Sequence, residues 1–160
     1  MLSVNIICVG TLKEKYLRDA IGEYSARLTP FCRFNIVELS EYKLSQNPSE
    51  SEIKRCIEEE GKKILSKITK GSFVIPMCIE GKNLSSEAFS QKLESIGLEG
   101  KSSVDFIIGG SFGLSDEVKS KGDFRLSMSP MTFPHQLARV MLCEQIYRAF
   151  QISSGGKYHK

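Results

Sequence analysis

LSMSPMTFPHQLARVMLCEQIYRAF, residues 126–150, is the stretch around which the rest of the chain is read. Ser127 to Thr132 sustains neither a period of two nor one of 3.6 and reads as an irregular segment. Pro134 stands where a first helical residue would be, a position at which its fixed φ and missing N–H do no harm. The spacing predicts a helix of about five turns after it. On a helical wheel Leu137 and Met141 share one edge, Ala138, Leu142, Ile146 and Ala149 the middle, and Cys143 and Phe150 the far edge. An apolar arc so wide implies covering from more than one direction. The remainder of the chain is then a platform for a loop, a helix and the tail SSGGKYHK.

Upstream of this unit, Val104–Ile108 is a continuous apolar run, as expected of a strand covered on both faces. It runs straight into Gly109-Gly110-Ser111-Phe112-Gly113. A short helix from Asp116, capped by Ser115, leads to a brief strand around Phe124–Ser127. Towards the amino end, Leu2–Val9 reads as a buried strand and Lys13–Leu28 as an amphipathic helix with Leu17, Ile21, Tyr24 and Leu28 inward. Phe34–Leu39 is β-rich, and residues 40–48 form a polar loop. Ser49-x-x-Glu52 predicts a capping box opening a helix to about Thr69 with Ile53, Ile57, Ile64 and Ile68 inward. On that helix Glu58-Glu59-Glu60 and Lys62-Lys63 read as a solvated face. Phe73–Ile79 is an apolar strand whose Pro76 implies an edge or a bend. Ser85 opens a helix to Ile96 with Phe89 and Leu93 inward.

Strand and helix thus alternate five times, which predicts an α/β fold: a mostly parallel sheet with helices on both faces. No repeat or linker divides residues 1–160, so one domain is expected. Ligands of such sheets bind at the carboxyl ends of strands. That singles out Met77–Ile79, Gly109–Gly113 and Met128–Phe133.

Composition narrows the classes further. A chain of 160 residues with 41% hydrophobic and 26% charged residues is ordinary for a globular protein. No apolar run approaches the roughly 18 residues of a membrane helix. Val4–Val9 lacks a basic flank and a cleavage site, so a strand explains it better than a signal peptide. Cys8, Cys32, Cys56, Cys78 and Cys143 are odd in number and form no C-x-x-C pair, indicating neither disulfides nor zinc and pointing to a reducing cytoplasm. Residues 1–122 balance 17 Lys/Arg against 17 Asp/Glu, whereas residues 123–160 carry Arg125, Arg139, Arg148, Lys157 and Lys160 against Asp123 and Glu144. The net charge of +3 therefore lies wholly in the opening stretch and its tail, either as a meeting point for an anionic partner or as ordinary scatter.

Several motifs have two readings. The first strand ends in Val9-Gly10-Thr11-Leu12, without a G-x-G-x-x-G or P-loop pattern. Gly109, Gly110 and Gly113 either let backbone approach a ligand or make a tight turn. Met128–Phe133, free of charge, either clasps a purine-like group through amides and carbonyls or is a plain connection. Arg139 and Arg148 must each find a carboxylate, such as Glu144, or leave their helix at a rim. The tail after Gly155-Gly156 is either loose or folded back over a site. No nucleophile elbow and no metal-ligand spacing is present.

The whole chain resembles the bacterial family of ribosomal RNA large subunit methyltransferase H, a minimal branch of the SPOUT superfamily. The likeness is carried by I-I-C-V-G near the start, I-E-G-K at Ile79–Lys82, and I-I-G-G-x-x-G-L at Ile107–Leu114. It continues through L-S at Leu126–Ser127, M-T-F-P-H-Q at Met131–Gln136, R-V at Arg139–Val140, E-Q-I-Y-R-A-F at Glu144–Phe150 and the final Y-H-K. The resemblance implies a homodimer whose C-terminal part forms a deep trefoil knot. It implies S-adenosyl-L-methionine bound at Met77, Gly109, Met128, Ser129, Pro130, Met131, Thr132 and Phe133. The implied substrate is pseudouridine in the helix-69 loop of 23S rRNA, methylated at N3 on the assembled 70S ribosome, with no metal and no membrane. Phe112 in the glycine turn departs from relatives, as does Pro130, which lacks an amide. Tyr158, His159 and Arg148 are the expected substrate-facing residues; His135 is either a base or a helix cap. The competing expectations are a non-catalytic ribosome-binding or assembly factor with this fold, and a methyltransferase for another RNA.

Overall fold

A computed structural model describes residues 1–160. Its elements follow the order β1 (Ser3–Val9), α1 (Lys15–Leu28), β2 (Arg33–Leu39), α2 (Glu50–Lys67), β3 (Phe73–Asn83), α3 (Ser86–Leu98), β4 (Ser103–Ile108), α4 (Asp116–Ser120), β5 (Leu126–Ser127) and α5 (His135–Ser153). The strands form one five-stranded sheet in the order β2-β1-β4-β3-β5, and every neighbouring pair is parallel.

The pleat sorts the strand side chains into two cores. Val4, Ile6 and Cys8 of β1 join Val104, Phe106 and Ile108 of β4 on one face, with Phe89, Leu93 and Ile96 of α3 and Leu142, Cys143, Ile146 and Ala149 of α5. Ile7, Val9 and Ile107 point to the other face, against Ile64 of α2 and Val118 of α4. β4 is buried throughout, as its unbroken apolar run predicts. The wide apolar arc of α5 is accounted for within one chain, since the helix lies against α1 and α3 as well as the sheet. Only its edge at Leu137 is left 41% exposed.

The serine caps form at Ser85 and Ser115, where the hydroxyls accept from Ala88 N and Val118 N. At Ser49 the box is half-made. Its hydroxyl accepts from Glu52 N, but the Glu52 carboxylate takes hydrogen bonds from the Ser49 and Ser45 hydroxyls instead of a free amide. α2 stops at Lys67, short of Thr69, because Thr69 N is drawn to the buried Asp105 carboxylate at 2.6 Å. Asn5 and Ser72 also donate to Asp105, so this buried carboxylate is fully served without a cation. Glu60 departs from the solvated face read for the acidic run: it is 5% exposed and accepts from Tyr42 N at 3.1 Å beneath Gly110.

β3 is longer than expected, and Pro76 marks its bend. Pairing with β4 ends at Pro76↔Ile107, and pairing with β5 then shifts, Met77 and Lys82 both facing Leu126. Cys78 to Gly81 bulge out between those two pairings. A Cβ on Gly81 would lie 2.8 Å from the Leu126 carbonyl carbon, so the bulge is closed by backbone laid directly on backbone.

Candidate functional site

The carboxyl ends of β3, β4 and β5 surround a cavity of about 760 Å³. The three segments singled out in the sequence meet there: the β3 bulge, the glycine turn after β4, and the loop after β5, closed by the first turn of α5. Met77, Gly109, Met128, Ser129, Met131, Thr132 and Phe133 all line it. Pro130, expected among them, lies outside the lining and is exposed.

The glycine turn is tight on its own account. A Cβ on Gly109 would sit 2.7 Å from the Gly113 carbonyl oxygen, and Gly113 has φ +85°, a region that disfavours side chains. The turn therefore serves packing, while its outer surface still forms a wall of the cavity. In the loop, Ser127 Oγ donates to Ser129 O at 3.1 Å and Ser129 Oγ accepts from Met131 N at 3.0 Å. The amides of Met128, Ser129, Thr132 and Phe133 have no partner within the protein. Nor do those of His135, Gln136 and Leu137, because α5 begins at Pro134 without a side-chain cap. His135 lines the cavity but does not cap the helix, and its Nε2 is shielded without a partner.

Unpaired main-chain donors beside apolar walls suit a flat, hydrogen-bonding heterocycle, and the volume suits a ligand of nucleoside size. The residues thus fit an adenosine-bearing methyl donor. The charged groups on the wall are Glu80 and Lys119, paired at 2.6 Å. Neither was singled out in the sequence. Glu80 lies inside the I-E-G-K block, a signal that was available, whereas nothing local marks Lys119.

Tyr158, His159 and Arg148 come together elsewhere. Arg148 forks onto the Glu144 carboxylate, with Nε at 2.9 Å from Oε1, and its guanidinium lies 4.7 Å from the Tyr158 ring centroid. Tyr158 Oη donates to Glu144 at 3.2 Å and its ring meets Tyr147 edge-on. His159 Nδ1 lies 3.1 Å from Arg148 Nη1 and its Nε2 lies 2.7 Å from Glu87 Oε1. A guanidinium can only donate, so Nδ1 accepts and Nε2–H donates to Glu87. The Glu144 carboxylate holds the Arg148 guanidinium more firmly charged, its pKa raised, and the His159 bond lowers the Glu87 pKa. The tail is therefore ordered, not loose.

None of this trio lines the cavity. Arg148 lies ten residues beyond Ala138 on α5, about 15 Å along the axis. Arg139 takes a structural role: fully buried, it donates to Glu38 at 2.7 Å and to the Gly10 carbonyl at 3.0 Å. With Arg139 and Arg148 both paired inside the protein, the basic excess that faces outward reduces to Arg125, Lys157 and Lys160.

An all-parallel α/β sheet with a cavity at the carboxyl ends of its strands is the setting of a ligand site in an open α/β fold. Residues 2–159 match the family described as "Predicted SPOUT methyltransferase". The chain is 52% identical over 159 residues to the ribosomal RNA large subunit methyltransferase H of Clostridium acetobutylicum, covering 99% of this chain and all of that one. The corresponding protein of Clostridioides difficile is 48% identical, with the same coverage. A putative ribosomal RNA large subunit methyltransferase H of Methanococcus maripaludis is 47% identical, again end to end. Among solved structures, a probable methylase family protein from Haemophilus influenzae superposes with a TM-score of 0.53 at 12% identity, covering 98% of this chain and 70% of that one, a likeness of fold. The chain belongs to the ribosomal RNA large subunit methyltransferase H family of SPOUT methyltransferases. No helix is long and apolar enough to cross a membrane, and no group of three or more His, Cys, Asp or Glu side chains is placed to hold a metal ion.

Proposed function

We propose that this protein methylates ribosomal RNA with S-adenosyl-L-methionine, at N3 of pseudouridine in the helix-69 loop of 23S rRNA within the 70S ribosome. The observation that carries the reading is the cavity of about 760 Å³ with its unpaired loop amides, in a chain whose full-length relatives bear ribosomal RNA methyltransferase names. Met77, Gly109 and the loop from Met128 to Phe133 would hold the adenosine, Pro130 shaping the loop from outside. S-adenosyl-L-methionine supplies a methyl group already activated on a sulfonium. The protein's part is then alignment, exclusion of water and removal of a weakly acidic imide proton.

A homodimer completes this reading. In its docked position the expected substrate-facing trio does not line its own cavity, and on this reading a partner's tail completes the site. Exposed apolar side chains at the cavity, Ile79 at 54%, Phe112 at 44% and Met131 at 73%, are suited to being covered by a second copy. Arg148 would contact phosphate or base, and Tyr158 would stack on or hydrogen-bond the target. His159 uses both ring nitrogens in its docked position, so accepting the N3 proton requires it to leave Arg148 first. The C-terminal threading that makes a trefoil knot belongs to the same proposal. It is supported by the way α5 inserts Arg139 against the Val9 and Gly10 carbonyls at the carboxyl end of β1.

The test is transfer of a tritiated methyl group to 70S ribosomes, free 23S rRNA and tRNA in parallel, with calorimetry of S-adenosyl-L-methionine binding. Labelling of 70S particles alone, mapped to pseudouridine N3, is the expected result. Binding without any transfer would favour the assembly-factor alternative, and labelling of tRNA would move the substrate.

A further inference from the structure

The Glu80–Lys119 pair is the one ion pair on the cavity wall, and both partners are brought there by unusual local structure. Glu80 sits at the crest of the β3 bulge, between the two residues that face Leu126. Lys119 comes from α4, and Arg125 donates to the Lys119 carbonyl, tying that end of the wall together. The two side chains are 46% and 22% exposed and meet at 2.6 Å. The lysine holds the Glu80 carboxyl below its usual range, chiefly by donating a hydrogen bond to it, so the wall presents a carboxylate at neutral pH.

A pair exposed to this degree contributes little to stability. Exchanging its partners for those of a ligand is therefore easy. What matches it is a ligand end that is itself a pair of opposite charges one carbon apart, an α-ammonium with an α-carboxylate. The rest of the lining holds hydroxyls, His135, apolar side chains and main chain but no further Asp, Glu, Lys or Arg, so no other wall group offers a matched anion and cation.

We propose that Glu80 and Lys119 form the receptor for the amino-acid end of the methyl donor: Glu80 takes its α-ammonium and Lys119 its α-carboxylate, each giving up the other. This rests on the cofactor reading above and adds to it two residues that select for the zwitterion. The adenosine end stays with the loop amides, so the two halves of the ligand are recognised by separate chemistry.

Calorimetry with three ligands tests it: S-adenosyl-L-methionine, its decarboxylated form, and 5′-methylthioadenosine, which lacks the amino-acid end. The wild-type protein should bind the first more tightly than the last. Glu80→Gln and Lys119→Met should each shrink that preference about tenfold, the scale of one charge-assisted contact. Binding of 5′-methylthioadenosine should stay within about twofold, because no hydrogen bond to the adenosine is touched. Lys119→Met should weaken S-adenosyl-L-methionine but not its decarboxylated form, whereas Glu80→Gln should weaken both. An unchanged preference in both variants overturns the assignment and leaves the cavity's role standing. Equal weakening of all three ligands overturns it by making the pair structural. Failure of the wild-type protein to bind any of them removes the underlying cofactor reading instead.

Discussion

At its amino end α5 borders an apolar cavity where main-chain amides are left unpaired; towards its carboxyl end it carries a cluster in which each charged group has found a partner. The first region is built to receive something and the second to hold itself together. Unpaired amides are tolerated where a ligand or water can serve them, whereas Arg148, Glu144, His159 and Glu87 satisfy one another's hydrogen bonds where the tail docks. The difference sets an open site at one end of α5 against a closed cluster at the other, and on the dimer proposal the second serves the cavity of a partner.

Truncation after Ser154 removes Tyr158 and His159 and leaves the cavity whole. Methyl transfer to 70S ribosomes should fall by at least about 100-fold, the scale of general acid–base contributions, with cofactor affinity nearly unchanged. Filter-binding of tritiated product, alongside calorimetry, checks it; a truncated chain of full activity ends the tail's role.

Arg139→Met acts between the regions and should damage both through the fold. It strips the Val9 and Gly10 carbonyls and Glu38 of their donor. Removing a partner from a buried pair costs about 3–5 kcal/mol, reduced here to about 2–3 because Glu38 is 37% exposed and can rehydrate. Urea unfolding measures the loss, and an unchanged midpoint would contradict the structural role given to Arg139.

Ala138→Trp puts an indole into the cavity from the first turns of α5. Affinity for S-adenosyl-L-methionine should drop more than about tenfold while the tail cluster stays docked, since filling a pocket removes its ligand contacts without touching distant ones. Unimpaired binding would place the cofactor elsewhere.

The smallest effect is a pH dependence from the core behind both regions. Burial pushes the Cys8 thiol from 9.0 up to about 11 and Cys143 up to about 12. Because the folded values are raised, this contribution is fully present below pH 9 and is lost as pH climbs through the folded values. The urea midpoint should hold between pH 7 and 8.5 and decline above about 9. A midpoint rising there would reverse the sign.

How far sequence led can be seen in the same two regions. Caps at Ser85 and Ser115 and the buried run of β4 were legible because each depends on neighbours in the chain, and the three strand ends because parallel α/β sheets place ligands there. The segment from Ser127 to Thr132 was recognisable as irregular; Ser127 instead closes β5, while the loop from Met128 on leaves amides unpaired. Glu60 was misread since a run of three acids looks solvated, and only the fold places Gly110 over one of them. The partner of Arg139 is 101 residues away, a distance at which spacing says nothing. Glu144 as the partner of Arg148 was legible, being one helical turn away. The separation of trio from cavity needed the rise of α5 between fixed ends, which no pattern of residue types contains.

The central claim is that a site is completed by two chains, and complementation tests it most directly. A dimer purified through two different affinity tags would carry Ala138→Trp on one subunit and end after Ser154 on the other. If tails act across the interface, this heterodimer has one whole site, and at a cofactor concentration too low to fill the Ala138→Trp cavity its activity should return to about half that of wild type although each parent homodimer is strongly impaired. If a verified heterodimer stays as inactive as its parents, the tail serves its own cavity and the two-chain account is wrong.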